Sequence, residues 1–170
     1  VSIPSIWTMA GTRRMIERLE GNAVDLSADE AFFDLLTGSF QRIVGLPLAI
    51  PGAGPDWLYS EAPFVVVAHN RDADPRFVYA NKAAQNCFEY PWAEFITLPS
   101  RLSAELPDRA ERQKLLDAVT QNGFIDCYRG LRIAKSGRRF WIEDGIVWQL
   151  VDRDGNLRGQ AATFSKWKDA

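Results

Sequence analysis

Three strand-length runs close the chain, and the two turns between them leave little freedom in how they pair. The runs cover residues 124–134, 138–151 and 157–167, joined by Lys135-Ser136-Gly137 and by Asp152-Arg153-Asp154-Gly155-Asn156. Glycine beside Ser, Asp or Asn supplies the backbone freedom of a tight reversal, so both connections predict hairpins and the three runs an antiparallel meander. In the middle run Phe140, Ile142, Ile146, Trp148 and Leu150 recur with a period of two. That alternation predicts one shared apolar face, packed under helices.

Two further strands precede the meander. Residues 63–68 form a β-branched run, Asp72-Ala73-Asp74-Pro75 turns the chain, and residues 76–80 return as a second strand. Asn81 follows at once, suited to cap a helical turn over residues 82–88, and Pro91 ends that turn by denying it an N–H. Residues 92–106 are irregular and split by Pro99. A helix is predicted over residues 108–122, started by Asp108 and Glu111 and stopped by Asn122-Gly123. Its narrow apolar face, Leu115, Leu116 and Val119, predicts a position on the domain's flank.

Upstream, Ser27-Ala28-Asp29-Glu30 has the form of a capping box. Beyond it Phe32, Phe33, Leu36, Phe40, Ile43 and Val44 share one helical stripe, stopped by Gly45. Each large side chain of such a stripe forgoes roughly 1.5–3 kcal/mol if left in water, so the domain's own sheet or a second subunit must cover it. Another helix is predicted over residues 12–19, and Pro51-Gly52-Ala53-Gly54-Pro55 reads as a linker. Its G-x-G lacks a preceding strand and a third glycine, so it is not a dinucleotide fingerprint.

The 170 residues, 46% hydrophobic and 25% charged, allow one ordinary globular domain plus an extension. The division expected is an N-terminal helical extension over residues 1–50, a linker over 51–62 and the main domain over 63–170. No apolar run reaches the ~18 residues needed to cross a bilayer and no secretory signal is visible, which predicts a cytoplasmic protein with no membrane partner. A formal charge of −2 argues against a surface devoted to nucleic-acid phosphates. Cys87 and Cys127 are too few for a disulfide framework and are expected to be free buried thiols.

Two strands, a short helical segment, a longer helix and a three-stranded meander follow the order of a PAS domain. The resemblance sharpens at Ala68-His69-Asn70, at residues 77–81 (Phe-Val-Tyr-Ala-Asn), and at residues 98–105 (Leu-Pro-Ser-Arg-Leu-Ser-Ala-Glu). It continues at Phe88-Glu89, Gly137-Arg138-Arg139-Phe140, Val147-Trp148 and residues 159–165 (Gly-Gln-Ala-Ala-Thr-Phe-Ser). Over residues 30–167 the chain resembles the MEKHLA domains, a PAS-related family found as bacterial stand-alone proteins and at the C-terminus of plant homeodomain-leucine-zipper regulators. It lacks the Met-Glu-Lys-His-Leu-Ala run of the plant version and so resembles the bacterial branch. The resemblance implies an α+β fold, a five-stranded antiparallel sheet covered on one face by helices, and a role in sensing or protein interaction. It transfers no catalytic residues.

The chemistry-bearing residues are few. One histidine, His69, and two distant cysteines give no zinc spacing and no support for a haem ligand. His69 reads as a hydrogen-bonder at a strand end. No nucleophile elbow or Cys-His arrangement exists, and Glu143 and Asp144, adjacent on a strand, point to opposite faces. Strict alternation puts Asp144 among Phe140, Ile142, Ile146 and Trp148 as a polar handle in a cavity, whereas a bulge at Asp144-Gly145 would turn it outward. PAS ligands lie between sheet and helices, which makes Ser100, Arg101 and Ser103 candidates. Arg101 is suited either to an anionic ligand or to a carboxylate that fixes its loop. With Trp92, Asp144 and Trp148 they complete the candidate ligand-binding set, although tryptophans more often pack than stack. Arg129, Arg132, Lys135, Arg138 and Arg139 form a basic cluster, read as a solvated sheet edge or as a surface for an acidic partner. Flavin photosensors of the PAS class carry a cysteine in an Asn-Cys-Arg segment after the first helices; residues 96–105 have none, and no cofactor is named by the sequence.

The function these features predict is a non-enzymatic sensory module that binds a small molecule or a protein partner. Its N-terminal helix is expected to serve homodimerisation or signal transfer. The alternative, from another class, is a small-molecule enzyme using Asp144 or His69 as general base in a sheet-bounded cavity.

Overall fold

The computed structural model describes residues 25–170, so the helix expected over residues 12–19 lies outside the described residues. The described chain runs α1 (Glu30–Val44), α2 (Pro55–Ser60), β1 (Val65–His69), β2 (Phe77–Ala80), α3 (Lys82–Phe88) and α4 (Trp92–Phe95). A 3₁₀ turn (Ser100–Ser103), α5 (Leu106–Asn122), β3 (Phe124–Ile133), β4 (Arg139–Val151), β5 (Leu157–Phe164) and β6 (Lys166–Asp169) complete it. The strands form one antiparallel sheet in the order β2-β1-β5-β4-β3, with β6 also on β4.

The last run, expected as one strand, is divided at Ser165. β5 pairs with β4 through Ile146↔Thr163 and β6 through Ile142↔Trp167, so both keep one register on either side of the break. The break faces a bulge in β4. Tyr128 pairs with Gly145 but Gly130 pairs with Ile142, which leaves one extra residue in β4. Asp144 takes it up with a φ of 52°, and Cys127, at 51°, takes up a matching extra residue in β3.

That bulge corrects the single face expected for β4. An inserted residue exchanges the two faces of every residue beyond it. Phe140 and Ile142 accordingly pack with Phe88, Phe95 and Phe164 on one side of the sheet. Trp148 and Leu150, with Ile146 against them, join Phe32, Leu36 and Phe40 on the other. A shift in the β1 and β2 register does the same for Phe77 and Tyr79, which belong to opposite sides.

Helices therefore cover both faces. α3 to α5 lie on one; α1 lies on the other, with Phe32, Leu36 and Phe40 at 3% exposure or less. The stripe expected of α1 is met by the protein's own sheet, with Leu35 and Ser39 buried and Phe33, Ile43 and Val44 at the margin. Trp148 anchors it, its indole N–H donating to Ser39 Oγ at 3.0 Å while its ring meets Phe40 edge-on. The cap of α1 is Asp29 rather than Ser27: Asp29 accepts from the Phe32 N–H, and Ser27 donates to Asp25 instead. Gly45, at φ 83°, ends the helix as expected.

Two other boundaries move. The stretch read as a linker contains α2, started by Pro55, whose missing N–H goes unused in a first turn. α5 starts at Leu106, two residues before the expected Asp108, with Glu105 at its N-cap position and no side-chain cap. Asn81 acts as predicted and does more. Fully buried, its Oδ1 accepts from the N–H groups of Ala84 and Val66, and its amide donates to Leu58 O and Phe64 O, joining α2, β1 and α3.

Candidate functional site

Between the sheet and α5 lies a partly open cavity of about 60 Å³, walled mainly by Val67, Phe88, Ile142, Val147, Ala162 and Phe164. The β4 bulge builds part of it, because the exchanged faces turn Gly145 and Val147 inward. Into this apolar chamber project His69, Ser103, Arg112, Tyr128, Arg132 and Gln160. A groove of about 470 Å³ between α5 and β3 lies outside it, lined also by Arg129, Trp141 and the Lys114–Glu111 ion pair. Arg112, Leu115, Tyr128 and Arg132 border both spaces.

Arg112 reaches the chamber because it stands three, four and seven residues before Leu115, Leu116 and Val119, on the same helical stripe. Only 8% of it is exposed, and its guanidinium donates to Ser100 Oγ at 2.6 Å. Arg132, also 8% exposed, comes from the inward face of β3, where Tyr128, Gly130 and Arg132 alternate. The Tyr128 ring folds back over Gly130, where an added Cβ would lie 1.8 Å from the Tyr128 hydroxyl. That hydroxyl accepts from Arg132, which also donates to Leu131 O. Among the described residues neither arginine has a carboxylate within ion-pair distance. Desolvation, then repulsion from Arg132, lowers the Arg112 pKa to about 10.

His69 and Gln160 present the opposite character. The His69 Nδ1 lies 2.8 Å from Asn70 O, a pure acceptor, so Nδ1 carries the proton and Nε2 the lone pair. Nε2 is shielded from solvent and has no partner. Burial first, with the nearby Arg112 charge adding to it against the Asn70 hydrogen bond, lowers the His69 pKa to about 4. The imidazole is therefore neutral near pH 7. Gln160 turns its Nε2 toward Leu116 O and Thr120 Oγ1, which leaves Oε1 buried and unpaired.

Of the residues expected to bind ligand, Ser103 alone lines the chamber; Ser100 stands behind it, holding Arg112. Arg101 takes the second role foreseen for it: it forks onto Asp74, at 3.0 and 3.3 Å, on the surface. Asp144 follows the second of its two readings: a bulge turns it outward to Lys166 at 2.9 Å, which makes it a surface group and removes it from the candidate ligand contacts. Trp148 lies on the α1 side of the sheet for the parity reason given above. Trp92 packs edge-on against Tyr59 and Tyr79, away from the chamber. In the basic cluster Arg132 is buried rather than solvated, whereas Lys135 and Arg138 pair with Glu94, Glu89 and Asp169. Cys87 is buried, which pushes its thiol up to about 12; Cys127 is exposed, contrary to expectation.

No group of three or more His, Cys, Asp or Glu side chains among the described residues converges on a metal position. No helix among them is long and apolar enough to cross a membrane.

The sheet order, the short helices packed over one face and the chamber between them define a PAS-like domain. Solved structures share that architecture at low identity. A PAS domain from Colwellia psychrerythraea superposes with a TM-score of 0.53 at 16% identity, covering 66% of this chain and 90% of its own. The photo-excited blue-light photoreceptor Vivid gives 0.52 at 19%, covering 76% and 92%. A PAS domain from a two-component sensor histidine kinase gives 0.50 at 17%, covering 67% and 91%. Within this class the chain belongs to the MEKHLA domain family, whose profile matches residues 30–169. No curated protein matches it. A flavin of the kind photoreceptors use does not fit these residues: the chamber is far below the roughly 300–1,000 Å³ of sites for larger ligands, and no cysteine lines it.

Proposed function

We infer that the protein is a non-enzymatic sensory module whose signal is occupation of the chamber by a small molecule. The observation that carries this reading is the set of buried, unsatisfied polar groups converging on an otherwise apolar space. Burying such groups without partners costs about 1–3 kcal/mol each, and a ligand that satisfies them recovers that energy. β4 and β5 separate the chamber from α1, and the Trp148 to Ser39 hydrogen bond ties β4 to that helix. Occupation that shifts β4 therefore reaches α1.

This assigns α1 to signal transfer. Homodimerisation through its apolar stripe would require the helix to leave the sheet, because Phe32, Leu36 and Phe40 are already covered. Sedimentation velocity is expected to show a monomer unless residues outside α1 join two copies. The enzymatic alternative loses Asp144 to solvent, and His69, with a pKa near 4 and a cationic neighbour, is a weak base at neutral pH.

Native mass spectrometry of protein purified from its own host, paired with hydrogen exchange before and after stripping, tests the reading. The expected result is a retained small molecule whose removal speeds exchange in β4, β5 and α1. A protein that arrives empty, with exchange unchanged by a metabolite extract, refutes it.

A further inference from the structure

We propose that the chamber takes a small organic carboxylate bearing its own hydrogen-bond donor, its carboxylate held by Arg112 and Arg132 and its donor by His69 Nε2 and Gln160 Oε1. The proposal rests on the sensory reading above and names the chemistry of its ligand.

The charge requirement comes first. Two guanidiniums, each more than nine-tenths buried, border one space; neither has an ion pair among the described residues, and the charge of Asp74, which reaches Arg112, is already engaged by Arg101. Like charges in so dry a place repel, and a buried cation without a counter-ion is costly. Arg112 has five N–H groups; its one side-chain partner is the Ser100 hydroxyl. An anion between the two arginines supplies the missing charge and accepts from donors that stand idle. A carboxylate matches the guanidinium fork better than a spherical anion does.

The second requirement is a donor. His69 Nε2 and Gln160 Oε1 are both acceptors whose orientation is fixed from behind, by Asn70 O in one case and by Leu116 O and Thr120 Oγ1 in the other. A simple fatty acid would leave them unpaired; a hydroxyl or ammonium group on the ligand satisfies them. The walls set the third requirement. Val67, Val147, Ile142 and Phe164 favour a short hydrocarbon portion over an all-oxygen ion such as phosphate, and a volume of about 60 Å³ admits only a few heavy atoms. The outer groove offers an entry path that ends at the two arginines.

The test uses the full chain in phosphate-free buffer, with isothermal titration calorimetry and thermal shift. The probes are L-lactate, glycine and alanine (carboxylate plus donor), propionate (carboxylate only), 1,2-propanediol (donor only) and inorganic phosphate. At least one of the first group is expected to bind about tenfold or more tightly than propionate, the ratio one buried hydrogen bond supports, with no binding of the diol. Arg132→Gln and Arg112→Gln are each expected to weaken it at least thirtyfold. Gln160→Leu is expected to bring the best probe and propionate to within about threefold. Melting of the empty variants keeps the test decisive. Arg→Gln proteins that melt at or above the wild-type temperature are folded, as relief of unpaired buried charge predicts. If they do not fold, the probe series on wild-type protein decides alone.

Three titration results overturn the proposal: binding of phosphate but no carboxylate, equal affinity for propionate and the hydroxy or amino acids, or no binding by any carboxylate probe. A retained ligand without a carboxylate group likewise overturns it while leaving the sensory reading intact. A protein with no ligand of any kind removes both.

Discussion

Replacing Asn81 by alanine tests how the two helical layers are held to the sheet. The side chain is fully buried and makes four hydrogen bonds, all to backbone groups from other parts of the fold or the first turn of α3. The Ala84 bond is a helix cap, worth about 1 kcal/mol. The Val66 N–H at 3.0 Å, the Phe64 carbonyl at 2.8 Å and the Leu58 carbonyl at 3.2 Å would lose their partner where water has no ready access. At the lower end of about 1–3 kcal/mol for each group left unpaired, Asn81→Ala should cost about 4 kcal/mol in all. That is a large share of the roughly 5–15 kcal/mol that holds a domain together. Asn81→Ser should restore only the cap. Asn81→Asp keeps the oxygen that accepts both N–H bonds but turns a second oxygen on the two carbonyls, so it should be no better than alanine. Urea unfolding followed by tryptophan fluorescence and circular dichroism measures this, with midpoints falling and slopes unchanged. A loss below about 1.5 kcal/mol for Asn81→Ala, or a serine variant as stable as wild type, would show that Asn81 is an ordinary cap and that the cross-links carry no energy.

Other outcomes follow from the same contacts. His69 has a folded pKa of about 4 against 6.5 unfolded, so the unfolded chain binds the proton more tightly: stability is complete above pH 6.5 and falls as pH drops from 6.5 toward 4. The loss across that window is roughly 3 kcal/mol, and His69→Gln should flatten it; unfolding curves at pH 7 and 4.5 for both proteins check this. Ellman's reagent should modify one thiol of the native protein, Cys127, and both in urea, since Cys87 is buried and held protonated. Asp144→Val should cost about 1–2 kcal/mol through its left-handed backbone, whereas Asp144→Gly should be neutral or slightly stabilising because the exposed Lys166 pair is worth little; thermal melting separates them.

The elements of this fold are written locally. Gly45, Asn81 and the turns around Gly137 and Gly155 mark where helices and strands stop, because each must adopt a backbone or bond that few other residues provide. Apolar periodicity likewise places α1, α5 and β4, and the family strings place their order. What lines the chamber was legible only in part. Arg112 sits on the Leu115, Leu116 and Val119 stripe, and Arg132 alternates with Tyr128 and Gly130, so both could be read as inward-facing. That they meet, and meet His69 and Gln160, depends on α5 crossing β3 and β5, which no local pattern encodes.

The same division explains the displaced candidates. Alternation along β4 is reliable until a residue is inserted, and a single bulge at Asp144 then sends Asp144 to solvent, Val147 to the chamber and Trp148 to α1. A stripe on α1 requires a cover but does not say whose. The local pattern thus set the longer helices and strands, their order and the family resemblance, since these rest on backbone preferences and periodicity within a few residues. The short α2, α4 and 3₁₀ turn and the break before β6 escaped it. The tertiary structure alone decided which side of the sheet each residue faces, what covers α1, and which buried charges stand together, because those depend on register and docking between segments far apart in the chain.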